Sequence, residues 1–162
     1  MNAHSTIVPD AAAGAMEPLE KEAHCFRSRF IGKFAQIEAW AYARLQAADP
    51  KTKVPPTLGL KLGAVAKLTE THPRLFRKAA AAARLLSDLK PYHEMRSTLA
   101  HSTLTTMSSD DGQVWIVFDQ AVGDATLPWR SRLTLSRSEL GAVIGRVNSL
   151  ANELRQQSPA PV

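Results

Sequence analysis

Cysteine is nearly absent from this sequence. Cys25 is the only one among 162 residues, so no intramolecular disulfide can form, and a zinc site would have to use histidine and carboxylate ligands. A single thiol without a disulfide partner is typical of a reducing compartment. Because free cysteines are among the most buried residues, we expect Cys25 to be a buried thiol rather than a reactive one.

Long apolar runs are also missing. No segment approaches the roughly 18–20 consecutive apolar residues of a membrane-spanning helix. The N-terminal sequence MNAHSTIVPDAAAG lacks the basic region and apolar core of a signal peptide. We therefore expect a cytoplasmic protein that makes no membrane contact.

The two ends of the chain are small, polar and contain proline. Residues 1–14 and 158–162 are expected to be disordered tails. The remaining residues, 15–157, have the length and apolar content of a single domain with its own core.

Acidic residues are scarce between Lys51 and Lys90. Nine basic residues stand there against only Glu70 and Asp88, a local surplus of +7 (nine minus two) in a chain of net charge +5. Clustered lysine and arginine are typical of a phosphate-binding face, although aromatic residues are not interleaved with them as in single-strand-binding proteins. The alternative is an ordinary solvated helix surface. The candidate nucleic-acid contacts are Lys61, Lys67, Arg74, Arg77, Lys78 and Arg84.

Three stretches before residue 90 have apolar residues at the spacing of an amphipathic helix. The first runs from about residue 18 to 48 and ends at Asp49-Pro50. The second ends before Pro73, which is predicted to open the third. Their expected inward residues are, in order, Phe26, Phe30, Phe34, Ile37, Ala41 and Leu45; Leu58, Leu62, Val65 and Leu68; and Phe76, Ala79, Ala80, Ala83, Leu86 and Leu89.

Pro91 interrupts this helical pattern. Proline cannot donate to the helical hydrogen-bond ladder, so the third helix either kinks there or ends, with a fourth helix starting at once. Leu89, Met95 and Leu99 keep an inward stripe across the interruption.

After residue 102 the apolar period changes from that of a helix to that of a strand. LTTM and QVWIVFD predict a β-hairpin in which Asp111-Gly112 supplies the turn. A short third strand over residues 132–135 extends it.

The last helix has a clear start signal. Ser136 and Glu139 match a capping box, and Leu140, Val143, Val147, Leu150 and Leu154 form an apolar stripe that ends near residue 157. Gly141 and Gly145 lie one turn apart on this helix. They indicate either a close packing contact within the chain or a subunit interface.

The fourth helix carries the sequence HEMRSTLAHS, residues 93–102, in which Arg96 and His101 are five positions apart. On an ideal helix this spacing places the two side chains about 140° apart, so they do not share a face. Their cooperation would need a distorted helix end or a second subunit.

Three features of the sequence belong together: the long first helix with Phe30, Phe34, Ile37 and Glu38, the helix pair that follows it, and RSTLAHS (residues 96–102). Together they resemble a bacterial HEPN-like helical-bundle domain. The hallmark of that family is an arginine followed a few residues later by a histidine near a helix end. The resemblance covers roughly residues 17–157. It implies a mainly α-helical, up-and-down bundle with a small antiparallel β element inserted before the last helix. It also implies a homodimer in which two copies of the motif form a composite site.

The chemistry implied by the resemblance is RNA cleavage without a metal or other cofactor. His101 would transfer a proton, either from a 2′-hydroxyl or to the leaving 5′-oxygen. Arg96 would stabilise the developing phosphate charge, and the expected product is a 2′,3′-cyclic phosphate. The flanking candidates are Ser97, Tyr92, Glu94 and Glu38, with Ser97 one turn from His101.

Two functional hypotheses follow. The first is a metal-independent endoribonuclease of the toxin or defence type. The second is a catalytically silent HEPN-like module that dimerises and binds RNA, an antitoxin or another protein partner. Ser97 favours the second slightly, because active members often have Asn, Asp or His after the arginine.

A purely structural role for the motif stays open beside these two hypotheses. Arg96 would then pair with a carboxylate such as Glu38, and His101 would cap the helix end. A zinc site built on His93 and His101 is not expected, because their eight-residue spacing differs from that of a helical zinc pair.

Overall fold

The computed structural model of the chain describes residues 10–110, 112–122 and 129–159. Over these ranges the chain is mainly helical, with a small antiparallel sheet before the last helix, as the sequence predicts. The elements in order are α1 (Asp10–Ala48), α2 (Leu58–Thr71), a 3-10 turn (Pro73–Leu75), α3 (Ala79–Asp88), α4 (Lys90–His101), β1 (Thr103–Ser108), β2 (Val114–Val122), β3 (Trp129–Ser136) and α5 (Arg137–Gln156).

Helix α1 is the centre of the molecule, and α2, α4, α5 and the sheet all pack against it. The predicted inward stripe is confirmed, because every member from Phe26 to Leu45 is buried. The start of the helix differs from the expectation. It begins at Asp10, ahead of Pro18 and inside the segment 1–14 that was expected to be a tail, because the alanine-rich residues 11–15 have high helix propensity. Residues 1–9 and 160–162 lie outside the described part of the chain.

The expected third helix is shorter than the sequence indicates. Pro73 opens only a 3-10 turn, and Phe76 is extended. The backbone N–H of Arg77 donates to the carbonyl of Gln157 at 2.8 Å, which ties this bend to the end of α5. Because α3 begins at Ala79, after the extended Phe76, the helical periodicity counted from Phe76 does not predict which α3 residues face inward. Ala80 is therefore exposed, contrary to the prediction, and the unpredicted Ala82 and Leu85 are buried instead.

Pro91 acts as the sequence predicts. Helix α3 ends at Asp88 and α4 begins at Lys90, with Pro91 in its first turn. Leu89 and Leu99 are fully buried, and Met95 packs against the core. The buried leucines therefore orient α4 toward α1 and the sheet.

The sheet has the order β1-β2-β3, with both pairings antiparallel. Phe118 of β2 lies opposite Leu104 of β1 and Leu133 of β3. Gly112 has a φ of 79°, the conformation that the turn requires. Asp111, predicted to share that turn, lies outside the described residues. The third strand is longer than the predicted 132–135 segment.

The expectation for Cys25 is wrong, and one of the two alternatives for Gly141 and Gly145 is excluded. Cys25 is exposed, because it lies beside the buried stripe of α1 rather than in it. Gly141 and Gly145 are also exposed, and a Cβ at either would meet nothing within 4 Å. These glycines therefore make no close packing contact with the described part of the chain. A role for them in a subunit interface stays a prediction.

The capping box at the start of α5 gives the fold a pH dependence. The backbone N–H and the hydroxyl of Ser136 both donate to Glu139 at 2.7 Å, and these bonds lower the pKa of Glu139 below its ordinary value. A lowered folded-state pKa stabilises the fold above the ordinary glutamate value of about 4.3 and ceases to do so as the pH falls through the folded-state pKa.

We predict that Glu139→Gln lowers the unfolding free energy at pH 7 and that its difference from the parent protein vanishes in acid. Urea unfolding at a series of pH values measures this difference. Glu153→Gln, in the body of the same helix, serves as the control. A constant difference between Glu139→Gln and the parent from pH 7 to pH 3 would contradict the linkage.

Candidate functional site

Helix α4 presents an exposed line of polar side chains. Lys90, Glu94, Ser97 and His101 follow one another at spacings of four, three and four residues, and all four are exposed. Residues at these spacings lie on one face of a helix, and the line extends about 16 Å along the axis. His101 is the last residue of α4, so it stands at the end of this line.

Arg96 does not lie on this line. Because α4 is a regular helix, the two side chains diverge by about 140°, as the sequence predicts. Arg96 is half-buried, and its Nε is enclosed without a hydrogen-bond partner. A single chain therefore does not assemble Arg96 and His101 into one site.

The ion pair considered between Arg96 and Glu38 is not formed. Glu38 of α1 instead accepts a hydrogen bond from the ammonium group of Lys61 on α2. Among the described residues, no ion pair includes Arg96. The structural role that pairs Arg96 with Glu38 is thus excluded.

The flanking candidates on α4 separate into two groups. Ser97 and Glu94 lie on the His101 line, one and two turns before it. Tyr92 is half-buried and packs against the core. It is nine residues from His101, which places it on the opposite side of the helix. Of these flanking candidates, Ser97 and Glu94 therefore share an accessible face with His101, and Tyr92 does not.

Arg27 of α1 anchors the chain where α4 ends. Its Nη2 donates to the carbonyl of Ser102 at 3.1 Å, and its guanidinium lies 5.6 Å from the ring centroid of Phe118. Ser102 is buried, and the hydroxyl of Thr103 donates to the Asp119 carbonyl at 3.1 Å. The two residues that follow His101 are thus each held by one hydrogen bond, Ser102 by Arg27 and Thr103 by Asp119. Nothing in the sequence points to Arg27, because its partner lies 75 residues away.

All but one of the six candidate nucleic-acid contacts between Lys51 and Lys90 are exposed. Lys67, Arg74, Arg77, Lys78 and Arg84 are exposed. Lys61, by contrast, is largely buried in its pair with Glu38. Asp88, one of the two acidic residues of the segment, is paired with Arg146 of α5 at 3.2 Å. Five of the six candidate nucleic-acid contacts can therefore reach a ligand.

A cleft that sequence reasoning did not identify lies between α2, α3 and α4. Its volume is about 460 Å³. Leu62 and Leu86 are both buried and contribute apolar surface to the cleft. The imidazole of His93 lies against Gly59, since a Cβ added to that glycine would be 3.1 Å from Cε1 of the ring. The full lining is Gly59, Leu62, Gly63, Ala66, Ala83, Leu86, Ser87, Lys90, His93 and Glu94. Lys90 and Glu94 therefore belong both to the cleft and to the line that ends at His101.

The described residues contain no cluster of three or more His, Cys, Asp or Glu side chains that could hold a metal ion. Over the same residues, no helix has both the length and the apolar character needed to cross a bilayer.

Comparison of the chain with protein-family models, with curated proteins and with solved structures finds no match.

We expect the Arg27 anchor to contribute measurably to stability. We predict that Arg27→Met lowers the free energy of unfolding by about 1–2 kcal/mol, because it removes both the hydrogen bond to Ser102 and the contact with Phe118. Amide exchange in β1 should become faster as well. Arg29→Met, at an exposed position two residues along α1, is the control. If urea unfolding gives the same stability for both variants, Arg27 does not fix the end of α4.

Proposed function

We propose that this chain is a HEPN-like protein that cleaves RNA without a metal, through a site that two copies form around His101. The observation that carries the proposal is the position of His101. It is an exposed imidazole at the end of α4, and the residue after it is held by Arg27. An accessible histidine on a fixed backbone is suited to proton transfer.

The reaction follows from the chemistry of the two motif residues. The RNA 2′-oxygen attacks the adjacent phosphorus and loses its proton to a His101 imidazole. The bond from phosphorus to the 5′-oxygen breaks, and that oxygen receives a proton from a second, protonated imidazole. The products are a 2′,3′-cyclic phosphate and a 5′-hydroxyl end. Arg96 would neutralise the charge that develops on the non-bridging phosphate oxygens.

Two copies are required because one copy lacks the necessary geometry. Arg96 and His101 diverge by about 140° on a single α4. A two-fold interface at α4 would bring each residue of one chain toward those of the other. Arg96 has no carboxylate partner among the described residues, so its charge remains available to a phosphate.

The accessible basic residues supply the affinity for RNA in this proposal. Lys67, Arg74, Arg77, Lys78 and Arg84 are exposed on α2, α3 and the bend between them. Their contacts would be with phosphates, so binding should weaken as salt is added.

The second candidate function is a silent HEPN-like module that dimerises and binds RNA, an antitoxin or another protein partner. The observation that favours it is the half-buried state of Arg96, with its Nε enclosed. Ser97 also favours the silent module, since active members of the family often have Asn, Asp or His after the arginine. Both candidates share the dimer. They differ in whether bound RNA is cut, and the silent module could bind an antitoxin or another protein partner in place of RNA.

We predict that the purified protein cleaves single-stranded RNA in EDTA and leaves 2′,3′-cyclic phosphate ends. His101→Ala should reduce the rate by about 10² to 10⁴, because a positioned proton-transfer group typically contributes that much. His24→Ala, which removes an exposed histidine of α1, should cleave normally. Cleavage that survives His101→Ala, or that requires Mg²⁺, excludes the mechanism. Salt-sensitive binding without cleavage selects the silent module.

We also predict a homodimer at micromolar concentration whose interface includes α4. Arg96→Glu and Ser97→Arg should both shift it toward monomer, because each places an unmatched charge at the two-fold contact. Ser97 is exposed, so its substitution leaves the core unchanged. Ala35→Arg, on an exposed face of α1, is the control for added charge. Sedimentation velocity measures the assembly state. A monomer that neither α4 substitution changes would remove the composite site.

A further inference from the structure

We infer that the cleft between α2, α3 and α4 binds one unpaired base of an RNA strand together with its phosphate. This inference rests on the RNA binding proposed above and adds the substrate class, which is single-stranded or looped RNA. It does not depend on cleavage.

The shape of the cleft suits a flat ring. Its volume of about 460 Å³ lies within the range of small-ligand sites. Gly59, Gly63 and Ala66 form the α2 side, and small side chains there leave room for a ring to approach the helix backbone. A Cβ on Gly63 would meet nothing within 4 Å, so this side is open. Leu62 and Leu86 add the apolar surface that a base would cover.

His93 supplies a stacking partner. Its half-buried imidazole lines the cleft and rests on Gly59. Unpaired RNA bases are commonly bound by stacking on aromatic side chains, histidine included. Gly59 makes this arrangement possible, because a larger residue would displace the ring.

Charge at the cleft matches a nucleotide. The exposed ammonium group of Lys90 can contact the phosphate, and the exposed carboxylate of Glu94 can accept hydrogen bonds from an amino group of a base. Lys67 and Arg84 directly follow the lining residues Ala66 and Ala83 in sequence, and both are exposed. The cleft thus lies within the most basic segment of the chain.

The cleft is also continuous with the proposed reaction site. Lys90 and Glu94 belong to the exposed line of α4 that ends at His101, and His93 is about 12 Å from His101 along the helix axis. A strand whose base occupies the cleft can therefore continue along α4 to His101. A duplex cannot use the cleft, because its bases are stacked and paired inside the helix.

Glu94 gives the cleft a base preference. Adenine, cytosine and guanine carry amino groups that donate to a carboxylate, whereas uracil carries none. The cleft should therefore favour oligo(A) over oligo(U).

The test measures RNA binding by fluorescence anisotropy in EDTA, using the full chain with His101→Ala so that the probes stay intact. The probes are short oligo(A), oligo(U) and an RNA duplex of the same length. We expect oligo(A) to bind about 10-fold more tightly than the duplex, and oligo(U) to bind more weakly than oligo(A).

A Cβ at Gly63 meets nothing within 4 Å, and Gly63→Leu places an apolar side chain in the cleft. The substitution also replaces a helical glycine with a better helix former, so it should not unfold the protein. It should weaken oligo(A) binding about 10-fold and leave duplex binding unchanged. Gly32→Leu makes the same change at an open position on α1, outside the cleft, and should alter neither. Thermal unfolding of both variants confirms that they are folded.

Two further substitutions test the individual contacts. His93→Phe should keep oligo(A) binding, while His93→Leu should weaken it about 10-fold, because only the former retains a stacking ring. Glu94→Gln should reduce the preference for oligo(A) over oligo(U).

The outcomes distinguish a failure of the base site from a failure of the proposed RNA-binding function. If Gly63→Leu and Gly32→Leu bind oligo(A) equally well, the cleft is not a base site, although the RNA-binding function survives. If the protein binds none of the probes, both the inference and the proposed function are wrong. Loss of cleavage in His101→Ala, together with oligo(A) binding that Gly63→Leu weakens, supports both the inference and the proposed function.

Discussion

The burial of one apolar stripe of α1 is the constraint on which the other elements depend. Phe26, Phe30 and Phe34 are each at most 5% exposed, and successive rings are in contact. Burying one such side chain contributes roughly 1.5–3 kcal/mol. Helices α2, α4 and α5 and the sheet all cover this stripe, so their positions relative to one another are set by α1. The outward direction of His101 is one result, since α4 must turn Leu99 inward.

Helix α4 has an apolar side that packs on the core and an exposed polar side. Leu99 and Met95 face the core, while Lys90, Glu94, Ser97 and His101 face solvent. The buried side holds the helix in place. Arg27 performs that role at its C-terminal end, from a different helix. The polar line lies outside the core, so most substitutions along it should cost the fold little.

The sequence predicted the parts of this structure that depend on local pattern. The α1 stripe, the break at Pro91, the hairpin and the capping box each follow from periodicity or from residues a few positions apart. The extended residues between the 3-10 turn and α3 were missed, and there the N–H of Arg77 donates to the carbonyl of Gln157, far away in sequence. The same limit applies to the site. The divergence of Arg96 and His101 was calculable from helix geometry, whereas the cleft, the Lys61–Glu38 pair and the Arg27 anchor exist only after distant helices have packed.

The sheet is joined to the helices with almost no intervening loop. Only Ser102 separates α4 from β1, and β3 runs directly into α5. A connection of this kind has no slack, so the sheet cannot tilt without rotating the last turn of α4. A tilt of the three strands is therefore expected to move His101, the last residue of α4, along with them.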